Sequence, residues 1–543
     1  MLSYKGVDEN LKFLILEIKK QLDDTLNILE DVSLYSMEKV SYREDYIDYL
    51  KTSISKKSYN LIASIPMEDE FDTNKVMTFN VIAGNLEKIG DHLENIIRQA
   101  SYLKNKNIIK KFRYQAYFNE IIKGLNLIEE SFFGADLQKA LIICETESTI
   151  DRLFEKDFRL FKKELKATGK NIDDYITTIF IFRYFERIGD ALLNIGEGVI
   201  SSVTGTRIKF NQYLSMKETL DIHEDDFSIE TVGDDTRSGC MIGKLSRDKG
   251  DDQPFVAIYK EGKKKKIFEE KEKILQWEQI YPGVTPKILK YETSGAYASL
   301  LMEYLHGKNF YEILITKEID ILAESLARII NTLNDLWTKT KTKEKVNAHF
   351  IRQLNSRLTD VFRLHPYFQN LPTTIGSLKN MSIKEMLKNA QELEEGINAP
   401  FSVFIHGDLN NDNIIYNENI DKVHFIDLHR SNRTDYVQDV SVFLISNFRL
   451  PLFDKVIRKR INNVIDEFYD FVVSFAKDNS DDTFTVRLAL GLIRSFITST
   501  RFSMKKDFAQ DMFFRGVYLL EKVIEHEGPW KDFRINKDIL IYN

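Results

Sequence analysis

Only two cysteines, Cys144 and Cys240, occur in 543 residues, each alone in its neighbourhood. That pattern supports neither a disulfide framework nor a thiolate metal site, and it fits a reducing compartment. Proline is also scarce, at nine residues, while 43% of the chain is hydrophobic and 29% charged, the balance of an ordinary folded protein rather than a disordered or fibrous one. No charge-free apolar run reaches the roughly 18–20 residues that a membrane crossing requires. The opening MLSYKGVDENLKF lacks the basic, apolar and small-residue regions of a secretory signal, so a cytoplasmic location is expected. Neither sign of charge dominates. A net charge of −7, with acidic and basic residues mixed along the chain, gives no global electrostatic reason to expect nucleic acid as a partner. The one basic run, Lys263–Lys266, is expected to be a solvated hairpin tip.

The length exceeds what one core supports, since single cores stop growing at roughly 250–300 residues. From about Leu11 to Ile200, apolar residues recur at spacings of three and four, with few glycines and Pro66 as the lone proline. This periodicity predicts long amphipathic helices. From Phe227 the text changes to short β-rich runs, FSIETVG, GCMIGKLS and PFVAIYK, separated by turn-forming stretches, which predicts an antiparallel meander. A helical segment (Ile267–Ile280), further strands (Lys287–Tyr291, Ala298–Tyr304) and long helical patterns to about Val523 follow. The expected organisation is an all-α region over 1–206, in two copies of about 1–105 and 106–206, a linker over 207–226, a strand-rich lobe over 227–305 and a helix-rich lobe over 306–543.

The helical half carries an internal repeat. NLEKIGDHLENI (Asn85–Ile96) and YFERIGDALLNI (Tyr184–Ile195) align with a constant offset: Glu87 and Glu186, Asp91 and Asp190, Asn95 and Asn194 are each 99 residues apart. Ile181, Phe185, Ile188, Leu192, Ile195 and Val199 form one apolar seam, matched by Ile82, Leu86, Ile89, Leu93 and Ile96. Glu186, Asp190 and Asn194 share a different face. One such stripe is ordinarily just solvated. Here both copies also place a mid-helix glycine between the same Glu and Asp, although glycine there costs roughly 1 kcal/mol relative to alanine. Carboxylates on a rigid helix, completed by Asp48 and Asp151 from neighbouring helices, suit a divalent or trivalent cation. The tandem E-[KR]-I-G-D-x-x-x-N-I helices resemble the PhoU family, paired three-helix bundles of phosphate-transport signalling. The resemblance implies surface metal clusters with iron-, zinc- or magnesium-type ions on Glu87, Asp91, Glu186 and Asp190, with Asp48 and Asp151 as looser matches.

In the second half, VFIHGDLNNDNIIYN (Val403–Asn417) sets a histidine, two aspartates and four asparagines between apolar runs. Two strands around a loop, followed by a hairpin ending at Asp427, bring Asp408, Asn413 and Asp427 to one end. Phosphoryl transfer needs a group to orient the attacking hydroxyl and oxygen ligands for magnesium; this set supplies both. The constellation H-G-D-x-x-x-x-N…I-D resembles the aminoglycoside phosphotransferase and choline kinase families, relatives of protein kinases with an α+β bilobal fold. The resemblance implies Asp408 as catalytic base, Asn413 and Asp427 as magnesium ligands, His406 as a brace and Asp439 as the anchor of the loop. It also assigns Lys260, at the end of VAIYK, to the ATP phosphates. Among Glu269, Glu270 and Glu272 its partner falls between the last two, with Glu272 preferred. Ser238 and Gly239 are candidates for covering the phosphates, and the backbone of Glu303 and Leu305 for the adenine.

The expected activity is thus an ATP- and Mg2+-dependent phosphotransferase acting on a small-molecule hydroxyl, with a PhoU-like domain in front that senses metal, phosphate status or a phosphate-transport or signalling protein. The alternative is a non-catalytic nucleotide-binding regulator of phosphate uptake. Base, both ligands and the lysine are all present, which argues against it. A homodimer is compatible with the sequence.

Overall fold

The computed structural model describes residues 6–30, 37–63, 70–168, 171–205, 208–220, 228–231, 241–247, 255–369, 374–375, 378–379 and 381–542. The chain divides into two compact units, 1–262 with 292–299, and 263–291 with 300–543.

The first unit begins with six long helices: α1 (Val7–Glu30), α2 (Met37–Ile62), α3 (Glu70–Tyr102), α4 (Tyr114–Phe133), α5 (Leu137–Thr168) and α6 (Ile172–Thr204). They form two antiparallel three-helix sets, α1–α3 and α4–α6, with α3 packed along α6. Every residue of the two seams predicted from spacing is fully buried, as a stripe repeating every three and four residues on a helix demands. The paired glycines have a packing role. A Cβ on Gly90 would meet Ile18, Gln21 and Ile47 at 3.2–3.4 Å, and one on Gly189 would meet Ile150 and the Glu147 backbone at 3.4–3.5 Å. What approaches these glycines is the neighbouring helix, not a ligand. The Gly90 carbonyl also accepts from Gln21 Nε2 at 3.0 Å.

Helix α7 (Phe210–Leu220) follows, inside the stretch read as linker; its Phe210, Tyr213, Ser215 and Met216 are buried. Strands β1 (Ser228–Thr231), β2 (Met241–Arg247) and β3 (Phe255–Lys263) make the antiparallel meander, with Ser228 opposite Ser246 and Met241 opposite Glu261. Tyr259 of β3 donates to Ser215 at 3.3 Å and to Glu261 at 3.1 Å.

The basic run is no hairpin tip. Lys263 ends β3, and Lys264–Lys266 open helix α8 (Lys264–Ile280). The run lacks the Gly, Asn or Asp that a tight hairpin turn requires, and lysine is a good helix former. Strands β4 (Ile288–Ser294) and β5 (Tyr297–Glu303) are neighbours in their sheet.

The rest of the second unit is mainly helical: α9 (Phe310–Thr316) after the short β6 (Lys308–Asn309), then α10 (Ile319–Thr340), α11 (Phe350–Asn355), α12 (Leu358–Leu364) and, beyond the two-residue strands β7 (Thr374–Ile375) and β8 (Leu378–Lys379), α13 (Ile383–Glu394). Strand β9 (Val403–Ile405) leads into the polar loop. Next come the antiparallel pair β10 (Ile414–Asn417) and β11 (Lys422–Phe425), and β12 (Asn432–Thr434), which pairs back on β9. Helices α14 (Val437–Phe448), α15 (Lys455–Asp478), α16 (Phe484–Ser499) and α17 (Lys506–Ile524) complete the unit. Among the described residues no helix is long and apolar enough to cross a membrane.

Candidate active site

The loop between β9 and β10 is built around a buried imidazole. His406 is 0% exposed. Its Nδ1 accepts the Asp408 backbone N–H at 3.2 Å, and its Nε2 lies 2.9 Å from the Ile426 carbonyl. These partners require Nε2 to carry the proton and Nδ1 to be bare, a neutral ring. Burial agrees, since it lowers the pKa of His406. One side chain therefore ties the segment bearing Asp408 to the strand end that precedes Asp427.

Gly407 follows with φ +84, and any Cβ there would overlap the Arg430 carbonyl. Only glycine fits such a position. From the first turn of α14, the fully buried Asp439 accepts the His406 and Gly407 backbone N–H groups at 2.8 and 2.7 Å. Burial raises its carboxyl to about 7. The start of α14 is itself fixed by the buried set Arg487, Asp435 and Asp481, in which Tyr436 Oη donates to Asp481 at 2.8 Å.

Asn413 closes the loop: its Nδ2 donates to the Asp408 carbonyl at 2.9 Å, and its own carbonyl accepts from Ile426 N at 3.1 Å. A 3-10 turn at Asn411–Asn413, capped by the Asn410 side chain, replaces the open loop expected up to Asn413. Asn411 is buried against Asn447 and Ser446. So the asparagines divide into two that shape the turn and one, Asn413, whose amide is locked to the backbone of Asp408. Asp427 has left-handed backbone angles, φ 60 and ψ 54, and its Oδ1 lies 3.2 Å from His429 Nδ1. The Asp408 carboxylate accepts from Arg430 Nη1 at 2.8 Å and is 22% exposed.

Several other expected positions are placed differently. Lys260 is buried on β3. Of the α8 glutamates, Glu272 is half-exposed beside Lys271 at 3.5 Å, whereas Glu270 is 2% exposed. The buried glutamate of α8 thus lies two positions before Glu272, since a shift of two residues turns a side chain to nearly the opposite helix face. The Glu303 backbone N–H already donates to the Lys287 carbonyl at 2.9 Å; Leu305 is half-buried. Ser238 and Gly239 lie outside the described residues.

In the helical repeats, three of the six candidate carboxylates are ion-paired within the chain. Glu87 lies 3.3 Å from Lys51, Asp190 lies 3.1 Å from Arg187, and Glu186 pairs with Arg183. Asp48 is close enough to Asp91 to help raise its pKa, after burial and Glu87, and Asp190 acts likewise on Asp151 after burial. Yet among the described residues no group of three or more His, Cys, Asp or Glu side chains is placed to hold a metal ion.

Sequence reading missed the arginines around Asp408. Arg357, Arg430, Arg449, Arg494 and Arg501 line a cavity of about 610 Å³ that also includes Asp408. The signal available was Arg494 within the apolar run LALGLIRSFI, since a lone charge in an otherwise apolar run marks a buried polar function.

Comparison with known families agrees with this geometry. The PhoU domain family matches residues 14–100 and 117–199, and the phosphotransferase enzyme family matches residues 255–462. A phosphate-specific transport system accessory protein PhoU homolog from Clostridium acetobutylicum is 26% identical over 199 residues, covering 36% of this chain and 89% of its own. Among solved structures, PhoU from Pseudomonas aeruginosa is 22% identical with a TM-score of 0.34, covering 37% of this chain and 97% of its own. An ethanolamine kinase from Plasmodium vivax is 14% identical with a TM-score of 0.31, covering 67% and 92%. The chain thus carries a region matching the PhoU domain family followed by a region matching the phosphotransferase enzyme family.

Proposed function

We propose that the protein transfers the γ-phosphoryl group of ATP, with Mg2+, to the hydroxyl of a small molecule, and that the PhoU domain tunes this activity. The observation that carries the reading is the loop held by His406 and Asp439, which presents Asp408 at the cavity while Asn413 is locked to the Asp408 backbone. Asp408 orients the acceptor hydroxyl and takes its proton as the oxygen attacks. Arg430 engages one carboxylate oxygen of Asp408, leaving the other for the hydroxyl. Asn413 and Asp427 are hard oxygen donors of the kind that hold Mg2+, which when bound neutralises charge on the transferring phosphates. Lys260 contributes to phosphate binding. The acidic stripes of the helical repeats carry no step of this reading; Glu87, Glu186 and Asp190 are ion-paired there.

On the same reading, residues 1–206 are the phosphate-signalling domain and 227–543 the two lobes of the enzyme, in a cytoplasmic protein. The test is ATP turnover by the intact chain with a panel of hydroxyl acceptors. Asp408→Asn is expected to lower kcat by about 10²–10⁴, the range of a lost general base, with KM for ATP nearly unchanged. Equal turnover by both proteins would overturn the assignment.

A further inference from the structure

The cavity beside Asp408 has a charge balance ill suited to a neutral or cationic alcohol. Its lining carries five arginines against one carboxylate, Asp408 itself. Arg430 is paired with that carboxylate. Arg501 reaches an acid only at 3.8 Å, from Asp360. Arg357, half-buried, has no hydrogen bond or ion pair to its guanidinium among the described residues. Arg494 is 4% exposed and donates one Nη2 bond, to Ser441 Oγ at 3.1 Å, while its Nε–H is buried without a partner. Ser495 Oγ, also on the lining, is likewise buried and unpaired.

Buried guanidinium N–H groups left without acceptors are expensive, and like charges gathered in a desolvated cavity repel. Burial first, and then Arg357, lowers the pKa of Arg494 to about 9, and burial followed by Arg430 lowers that of Arg357. Such an arrangement is relieved by a ligand oxyanion that accepts from several guanidiniums at once, the geometry in which arginine excels.

We propose that this cavity is the acceptor subsite and that the acceptor is a hydroxyl compound carrying a phosphate-type dianion, held by Arg357, Arg494 and Arg501, with its free hydroxyl toward Asp408. A dianion matches the surplus of positive charge better than a single carboxylate does. The inference rests on the phosphotransferase reading and names its substrate class. In the reaction the acceptor oxygen forms a bond to the γ-phosphorus of ATP, the bond from that phosphorus to the bridging oxygen breaks, ADP leaves with the electron pair, and the hydroxyl proton passes to Asp408. The product carries two phosphate groups.

The test uses the full chain with Mg2+ and a non-hydrolysable ATP analogue present, and calorimetric titration with inorganic phosphate, glycerol 3-phosphate, glycerate and glycerol. Phosphate and glycerol 3-phosphate are expected to bind, glycerol not to bind, and glycerate to bind at least tenfold more weakly than glycerol 3-phosphate. Arg357→Gln, at a half-buried position, should weaken phosphate binding at least tenfold with an unchanged unfolding midpoint; Arg494→Lys, which keeps the charge but loses the fork, should do the same. Phosphate binding that is equal in wild type and Arg357→Gln, or that is displaced by the ATP analogue, overturns the proposal, as does glycerate binding as tightly as glycerol 3-phosphate. In parallel, transfer from labelled ATP is followed to phosphorylated polyols, choline and kanamycin. Transfer confined to choline or kanamycin leaves the kinase reading standing and overturns this one. Arginine-dependent phosphate binding with no transfer to any hydroxyl does the reverse: it upholds the oxyanion site and overturns the kinase reading.

Discussion

Asp439 faces two backbone N–H donors and no solvent, and with His406 it holds the turn that aims Asp408. Burial raises its pKa from the usual value near 3.8 to about 7. Between those values the folded protein keeps a proton that the unfolded chain has released, so this carboxyl's contribution to stability is complete below about pH 4 and fades as pH rises through 7. Asp439→Asn offers one acceptor oxygen, leaving a backbone N–H unsatisfied, at a cost of about 1–3 kcal/mol. Urea denaturation of both proteins should show that cost largest near pH 5 and smaller at pH 8, the difference changing by at most about 1.4 kcal/mol per pH unit. A cost that grows with pH would contradict the assignment. The role of Asp439 could be read from sequence because HGD and the later aspartate form a recurring pair of local motifs. The choice between Glu270 and Glu272 could not: both fit the spacing from Lys260, and only the rotation of α8 decides which is buried.

Helix α6 shows how differently glycines along one element behave. A Cβ at Gly189 would meet Ile150 and Glu147 at ordinary contact distance, 3.4–3.5 Å, whereas one at Gly196 would overlap Cys144 Sγ and stand 3.0 Å from the Ala140 carbonyl. Alanine in a helix interior is favoured over glycine by about 0.5–1 kcal/mol. Gly189→Ala should therefore raise the thermal midpoint of the helical domain. Gly196→Ala should lower it, because overpacking of this kind costs about 1–3 kcal/mol. The order of midpoints, Gly189→Ala above wild type above Gly196→Ala, is read from a single melting series, and a stabilised Gly196→Ala would show that α5 and α6 are less tightly apposed than described. The α6 seam was legible because six apolar residues at spacings of three and four leave no other face to bury. The reason for the Gly189 position was not, since a close helix neighbour and a bound ion ask for the same small residue. The cavity arginines were hidden for another cause: Arg357, Arg430 and Arg494 come from three separate segments with no spacing rule that links them, and only Arg501, seven residues after Arg494, lies on the same helical stretch as another.

At the scale of the molecule, a helical region matching the PhoU domain family precedes one matching the phosphotransferase family, which raises the question of whether the first tunes the second. Phe182 is fully buried in the first unit, among the rings of Tyr117 at 5.1 Å, Phe161 at 5.4 Å and Phe112 at 5.6 Å. Phe182→Ala leaves a cavity worth about 3–5 kcal/mol without touching any residue assigned to catalysis. In a calorimetric scan it should lower the transition of the helical domain. Regulation adds a stronger requirement, because coupling between sites is reciprocal: if the state of the helical domain biases nucleotide binding, then ATP with Mg2+ must shift the helical transition as well. The expected outcome is a shift of that transition on adding the ATP analogue and a change of at least twofold in the KM for ATP in Phe182→Ala, measured at a temperature where both proteins are folded. A helical transition indifferent to nucleotide, together with an unchanged KM, would mean that the two units share a chain and no free energy.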